Sequence, residues 1–173
     1  SGLGESFLNI VKANKKIKII STYSTIKPKN IREKNIIFKK ISLPEDLSKL
    51  TKIIEKLNYP YVFYFTSPPI NFGKSLSSKN KILYKEIFIK TPLNIVTNSY
   101  KNMSKFIYPS TSNIDYNEHS FYSKVKIDAE KKLKRFSSCY IYRFDKLYSK
   151  NTISLQNANI INLQKLLNQN PKL

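Results

Sequence analysis

KFIYPSTSNIDYNEHSFYSKVKIDAEKKLKRFSSCYIYRF, residues 105–144, contains two apolar runs separated by one long stretch with helical spacing. Lys105 to Tyr108 reads as a buried strand running into Pro109-Ser110-Thr111-Ser112. Phe121 to Phe136 then reads as an amphipathic helix and Cys139 to Phe144 as a second strand. Parallel neighbours need a crossover of a dozen or more residues, so strand, helix and strand at this spacing form the repeating unit of a parallel sheet. Within the helix, Tyr122 and Lys126 stand four residues apart and therefore share a face.

The same alternation extends in both directions. Leu3 to Lys12 reads as a helix with Leu3, Phe7, Leu8 and Val11 on one side and Gly2 and Gly4 at its start, followed by a strand over Lys16 to Thr22 and a short one over Asn35 to Ile41. Pro44-Glu45-Asp46 opens a helix through Leu57, with Ser42 as its expected N-cap and acids in its first turn. Tyr61 to Thr66 is a strand ended by Ser67-Pro68-Pro69. Lys79 to Tyr100 keeps helical spacing, with Pro92 expected to start a new helix or kink the old one, and Asn157 to Leu167 reads as a final helix. The class is α/β, a Rossmann-like doubly wound parallel sheet, and residues 1–173 are expected to form one domain.

Composition narrows the function. The formal net charge is +20, yet of 31 basic residues only Arg32, Arg135 and Arg143 are arginine, and the lysines are dispersed rather than clustered. Base readout favours arginine's two-pronged fork, so the charge reads as solvated surface before it reads as a nucleic-acid footprint. No run approaches the roughly 18 apolar residues of a membrane span. Cys139 is the single cysteine and His119 the single histidine, which fits a reducing, cytoplasmic setting and chemistry without a metal. His119, beside Glu118, reads as a surface residue, Cys139 as core, and Glu45 and Asp46 as helix-start acids rather than a carboxylate pair.

A glycine-containing turn at a helix N-terminus is where a doubly wound fold holds the phosphates of a dinucleotide, since free N–H groups and the helix dipole favour anions. The strand that should precede it is absent, so a missing N-terminal segment is expected. Ser1-Gly2-Leu3-Gly4-Glu5-Ser6 resembles the second half of the short-chain dehydrogenase/reductase glycine motif. The strand ending in Ser110, Thr111 and Ser112, the Tyr122-x-x-x-Lys126 pair, Ala129-Glu130 and the strand arginine Arg143 follow in the order seen in the extended and atypical branches of that superfamily, which include nucleotide-sugar epimerases and dehydratases. Tyr61 to Pro69 likewise resembles the strand and loop that pass over the cofactor.

This resemblance implies an NAD(P)-dependent oxidoreductase or epimerase/dehydratase relative acting on a small molecule, of nucleotide-sugar type in the epimerase branch. It implies that Tyr122 exchanges a proton with the substrate oxygen, that Thr111, or its neighbours Ser110 and Ser112, holds that oxygen, and that Lys126 stabilises the phenolate and bonds the nicotinamide ribose. Free tyrosine titrates near pH 10, so such a stabiliser is needed. Cofactor contacts are expected at Gly2, Gly4, Thr22, Lys27, Thr66, Ser67 and Lys126. Ser21-Thr22-Tyr23 offers no carboxylate for a ribose hydroxyl, lysine replaces the acid expected near Lys39-Lys40-Ile41, and Lys27 and Lys29 follow the second strand. NADP is therefore expected over NAD. The loop from Thr111 to Tyr122 is short for the extended enzymes and fits the atypical branch, and the C-terminal substrate lobe of a nucleotide-sugar enzyme is largely absent. The competing functions are a non-catalytic Rossmann subunit of a larger assembly and a basic nucleic-acid-binding protein. Homodimer formation is left open.

Overall fold

The structure, a computed structural model, describes residues 2–12, 14–27, 33–68, 76–116 and 119–144. These fall into two compact units, one of residues up to Ser42 and one of residues from Leu43 onward. Among the described residues all strand pairings are parallel, and the α/β class read from the sequence is what the structure shows. The expected helix over Asn157 to Leu167 lies outside the described residues.

In the first unit, α1 (Gly2–Val11) precedes β1 (Ile19–Tyr23) and β2 (Ile36–Lys40), paired in register from Ile19↔Ile36 to Tyr23↔Lys40. Leu8 of α1 packs on Ile36, Ile19 and Phe38, the apolar face of this two-stranded sheet. The strand expected from Lys16 begins at Ile19 instead. Asn35 explains the delay, because its side-chain amide donates to the carbonyls of Asn14 (3.1 Å) and Ile17 (3.0 Å), and this holds residues 14–17 in a turn.

The second unit runs α2 (Leu47–Glu55), β3 (Tyr61–Phe63), α3 (Ser78–Lys85), a π turn (Glu86–Lys90), α4 (Thr91–Ser99), β4 (Lys105–Thr111), α5 (Asn113–Tyr116), α6 (Phe121–Leu133) and β5 (Cys139–Phe144). Its sheet order is β3-β4-β5, with β4 in the middle. The helix expected from Pro44 with Ser42 as its cap starts at Leu47, after Asp46, whose side chain makes no capping bond. A turn comes first: Leu47 N donates to the Pro44 carbonyl (3.1 Å), and Lys49 N to the Asp46 carbonyl (3.0 Å).

β4 is longer than the sequence implied because Pro109 does not end it. Phe106 N and Ser112 N donate toward β5, to Ser138 O and Phe144 O. By alternation, position 109 faces the β3 side, where pairing stops after Tyr64 N donates to Ile107 O, so the missing N–H of proline costs no ladder bond.

Phe106 and Tyr108 lie on one face of β4 and are fully buried in the main core with Ile54, Phe88, Ile95, Val96, Val125 and Leu133. α6 closes that core because Val125, Lys126, Ala129, Glu130 and Leu133 fall on one side at helical spacing. Its start is fixed by Ser120, whose hydroxyl accepts from Ser123 N at 3.0 Å.

Candidate active site

Pro92 sets the geometry under α6. In an α-helix the Phe88 carbonyl would accept from the N–H of residue 92, and proline has none. The helix continues through a π turn instead, in which Thr91 N reaches back to Glu86 O, so the Ile87 carbonyl also loses its α-helical donor. Two buried tyrosines, one immediately after β3 and one on β4, fill both vacancies. Tyr64 Oη donates to Ile87 O at 2.7 Å, and Tyr108 Oη donates to Phe88 O at 2.8 Å. Their rings stack, with centroids 6.3 Å apart.

Lys126 ends in this assembly. Only 4% exposed, its ammonium donates to Pro109 O at 2.8 Å and Tyr108 Oη at 3.4 Å, and lies 4.2 Å from the Phe88 ring centre, 4.6 Å from that of Tyr108 and 6.0 Å from that of Tyr122. Such cation–ring contacts contribute on the order of 2 kcal/mol when desolvated. Burial still dominates and pulls the ammonium down from the usual lysine range to about 7, against the opposing charge of Glu130.

Tyr122 is half-buried, its ring set edge-on to Phe88 and Tyr84. The structure thus brings Tyr122 and Lys126 to one face of α6, against the π turn. Burial, with a smaller contribution from Tyr84, raises the Tyr122 hydroxyl above the ordinary tyrosine value to about 12. The Lys126 ammonium is held by the Pro109 carbonyl, the Tyr108 hydroxyl and the Phe88 and Tyr108 rings.

The hydroxyl cluster is divided. Ser110 is buried beside the Glu130 carboxylate, whereas Thr111 and Ser112 are half-buried at the end of β4. Burial pushes Glu130 up, but hydrogen bonds from Arg143, with the charges of Arg143 and Lys134, hold it below the usual carboxylate range. Of the other expected contacts, Thr66 is half-buried and bonds the Tyr64 hydroxyl, while exposed Ser67 donates to Pro68 O at 2.9 Å.

In the first unit, Gly2 and Gly4 lie within the first turn of α1, Thr22 is exposed near the end of β1 opposite Lys39, and the exposed Lys27 holds its ammonium 5.5 Å from the Phe38 ring centre. Ser1 and Lys29 lie outside the described residues. His119 is exposed, and burial raises the Cys139 thiol to about 12, so it is no ready nucleophile. Among the described residues no group of acids, cysteine and histidine is placed to hold a metal, and no helix is long and apolar enough to cross a membrane. Sequence reasoning missed Tyr64, Tyr108 and Phe88. The available signal was a proline four residues after Phe88 in a helical run.

No family model and no curated protein sequence matches the chain. Solved structures do. A short chain dehydrogenase family protein of Francisella tularensis superimposes with a TM-score of 0.66 at 14% identity, covering 97% of this chain and 72% of that one. A protein described as a 3-oxoacyl-reductase of Bacillus thuringiensis gives 0.68 at 13% identity, over 89% and 77%. A carbonyl reductase of Pseudomonas aeruginosa, in complex with NADP, gives 0.57 at 8% identity, over 93% and 87%. The chain has the Rossmann-like fold of the short-chain dehydrogenases/reductases.

Proposed function

We propose that this protein is an NAD(P)-dependent oxidoreductase that interconverts a carbonyl and an alcohol, with Tyr122 and Lys126 as its working pair. The observation that carries the reading is the placement of these two side chains on one face of α6 against the π turn, with the Lys126 ammonium on the C-terminal half of β4, in a fold whose solved examples include a reductase in complex with NADP.

Within each unit the donors present suit one part of the cofactor. In the first unit, Thr22, Lys27 and Lys39 are exposed at the C-terminal end of the strands, and Ser21-Thr22-Tyr23 contains no carboxylate to repel a 2′-phosphate. We assign Thr22 and Lys27 to that phosphate and Gly2 and Gly4 to the pyrophosphate. In the second unit, Thr66, Ser67 and Lys126 are assigned to the nicotinamide half. A bound nicotinamide dinucleotide supplies or accepts the hydride. Tyr122, protonated at neutral pH, gives its proton to the developing alkoxide of the substrate, Thr111 hydrogen-bonds the same oxygen, and Lys126 is the nearby positive charge. The relatives named above include reductases, which supports simple reduction over the epimerisation or dehydration of a nucleotide sugar.

Calorimetric titration of the purified protein with NADP and NAD, followed by turnover on a panel of aldehydes and ketones, tests the reading. Binding of NADP with reduction of at least one carbonyl is expected. Absence of dinucleotide binding overturns it.

A further inference from the structure

Tyr108 does more than fill the core. It sits fully buried in the middle of the central strand, and its hydroxyl is a bridge between two groups from different helices. On one side lies the Phe88 carbonyl, left without a helical donor by Pro92; on the other lies the Lys126 ammonium. A phenol has one proton to donate. At 2.8 Å the carbonyl takes it, so the weaker 3.4 Å contact must run from Lys126 to a Tyr108 lone pair. Turning that proton to Lys126 would leave the buried Phe88 carbonyl without a donor. Burial, reinforced by the charges of Tyr64, Tyr122 and Glu130, holds Tyr108 well above the ordinary tyrosine value, so the bridge stays protonated.

We propose that Tyr108 is a positioning residue for Lys126, a fixed acceptor that anchors the lysine ammonium to the π turn and so sets where Lys126 stands beside Tyr122. Its meaning for catalysis rests on the function proposed above; the anchoring itself does not. Tyr64 provides the internal comparison. It makes the same kind of bond to the adjacent Ile87 carbonyl, yet no hydrogen bond links it to Lys126. The groups facing the ammonium are Pro109 O and Tyr108 from β4, Tyr122 and Glu130 from α6, and the Phe88 ring from the π turn. Tyr108→Phe removes one acceptor and keeps the rest.

The test is a direct titration of Lys126 by NMR in protein labelled at lysine Cε and Nζ, with its signal identified by its loss in Lys126→Met. Removal of an acceptor from a cation lowers its pKa, and Tyr108→Phe is expected to move the Lys126 midpoint down by about one pH unit. Tyr64→Phe should lose comparable thermal stability and leave that midpoint in place. If Tyr108→Phe does not fold, 3-fluorotyrosine at position 108 weakens the hydroxyl as an acceptor without deleting it, and the midpoint should fall again.

An unmoved midpoint in the Tyr108 variants, or an equal shift in Tyr64→Phe, overturns the proposal. The proposed function is checked separately: if Lys126→Met binds NADP and turns over normally, that function fails while the anchoring, read by NMR, stands. In an active enzyme, the pH profile of kcat/KM should shift with Tyr108→Phe and stay put with Tyr64→Phe.

Discussion

Arg143 grips Glu130 with two parallel hydrogen bonds, Nε to Oε1 at 3.0 Å and Nη2 to Oε2 at 2.8 Å, and gives its third nitrogen to Asp115 Oδ1 at 2.9 Å. This joins β5 to the far end of the helix that carries Tyr122 and Lys126. The carboxylate is almost wholly buried while the guanidinium side chain is 40% exposed, so the pair lies between the buried and surface limits of ion-pair strength.

Arg143→Ala leaves Glu130 buried with only the distant Lys134 at 3.9 Å, and should cost about 2 kcal/mol in chemical denaturation. Because Glu130 titrates below its ordinary value of 4.5, its contribution is present above that pH and is lost as pH falls through the lowered folded value. The wild type should therefore lose stability in acid more steeply than Arg143→Ala. Parallel acid curves for the two proteins would show that the pair does not couple to folding.

The parallel fold was legible because periodicity alone separates buried strands from one-sided helices, and β4, α6 and β5 carry the clearest pattern in the chain. Boundaries were less legible for local reasons. Asn35 holds residues 14–17 in a turn through its side chain, a contact across 18 to 21 positions that no local pattern encodes. The pairing of Tyr122 with Lys126 followed from helical spacing. The anchoring of the lysine did not, because it depends on Phe88, Tyr108 and Pro109, which arrive from two other elements.

Lys126 should make stability rise with pH where most proteins show a plateau. Its folded value, about 7, lies below the unfolded 10.5, so above pH 7 the unfolded chain binds the extra proton and stability increases with pH. The gain should appear between about pH 7 and 9, before tyrosine ionisation in the unfolded chain opposes it. Lys126→Met should be more stable than the wild type near pH 6, with the difference shrinking toward pH 9 in urea denaturation. A constant difference would mean that the lysine is not desolvated.

Dinucleotide preference should follow the exposed lysines of the first unit. An exposed lysine–phosphate contact contributes about 1 kcal/mol or less, so Lys27→Ala should weaken NADP binding about fivefold and leave NAD binding nearly unchanged. The difference should shrink at high salt as screening grows. Calorimetry with both dinucleotides at two ionic strengths reads it. Equal loss for both would place Lys27 away from the 2′-phosphate.

The direction of the reaction should follow from the two protonation states in the free protein. Reduction consumes a proton from Tyr122, whose hydroxyl stays protonated up to about 12, so the donor is ready across the neutral range. The charge beside it is Lys126, which is lost as pH rises through about 7. Since kcat/KM reports ionisations of the free enzyme, reduction should be flat in mild acid and fall above about pH 7. Oxidation of the alcohol needs the phenolate, which is scarce near neutrality, so it should climb as pH rises toward 12. Tyr122→Phe keeps the edge-on ring contacts with Phe88 and Tyr84, so stability should change little. Turnover should drop by about 10²–10⁴-fold in both directions. A Tyr122→Phe enzyme that retains wild-type turnover, or a reduction rate that rises through pH 7, would remove Tyr122 from the chemistry and leave α6 as a purely structural crossover.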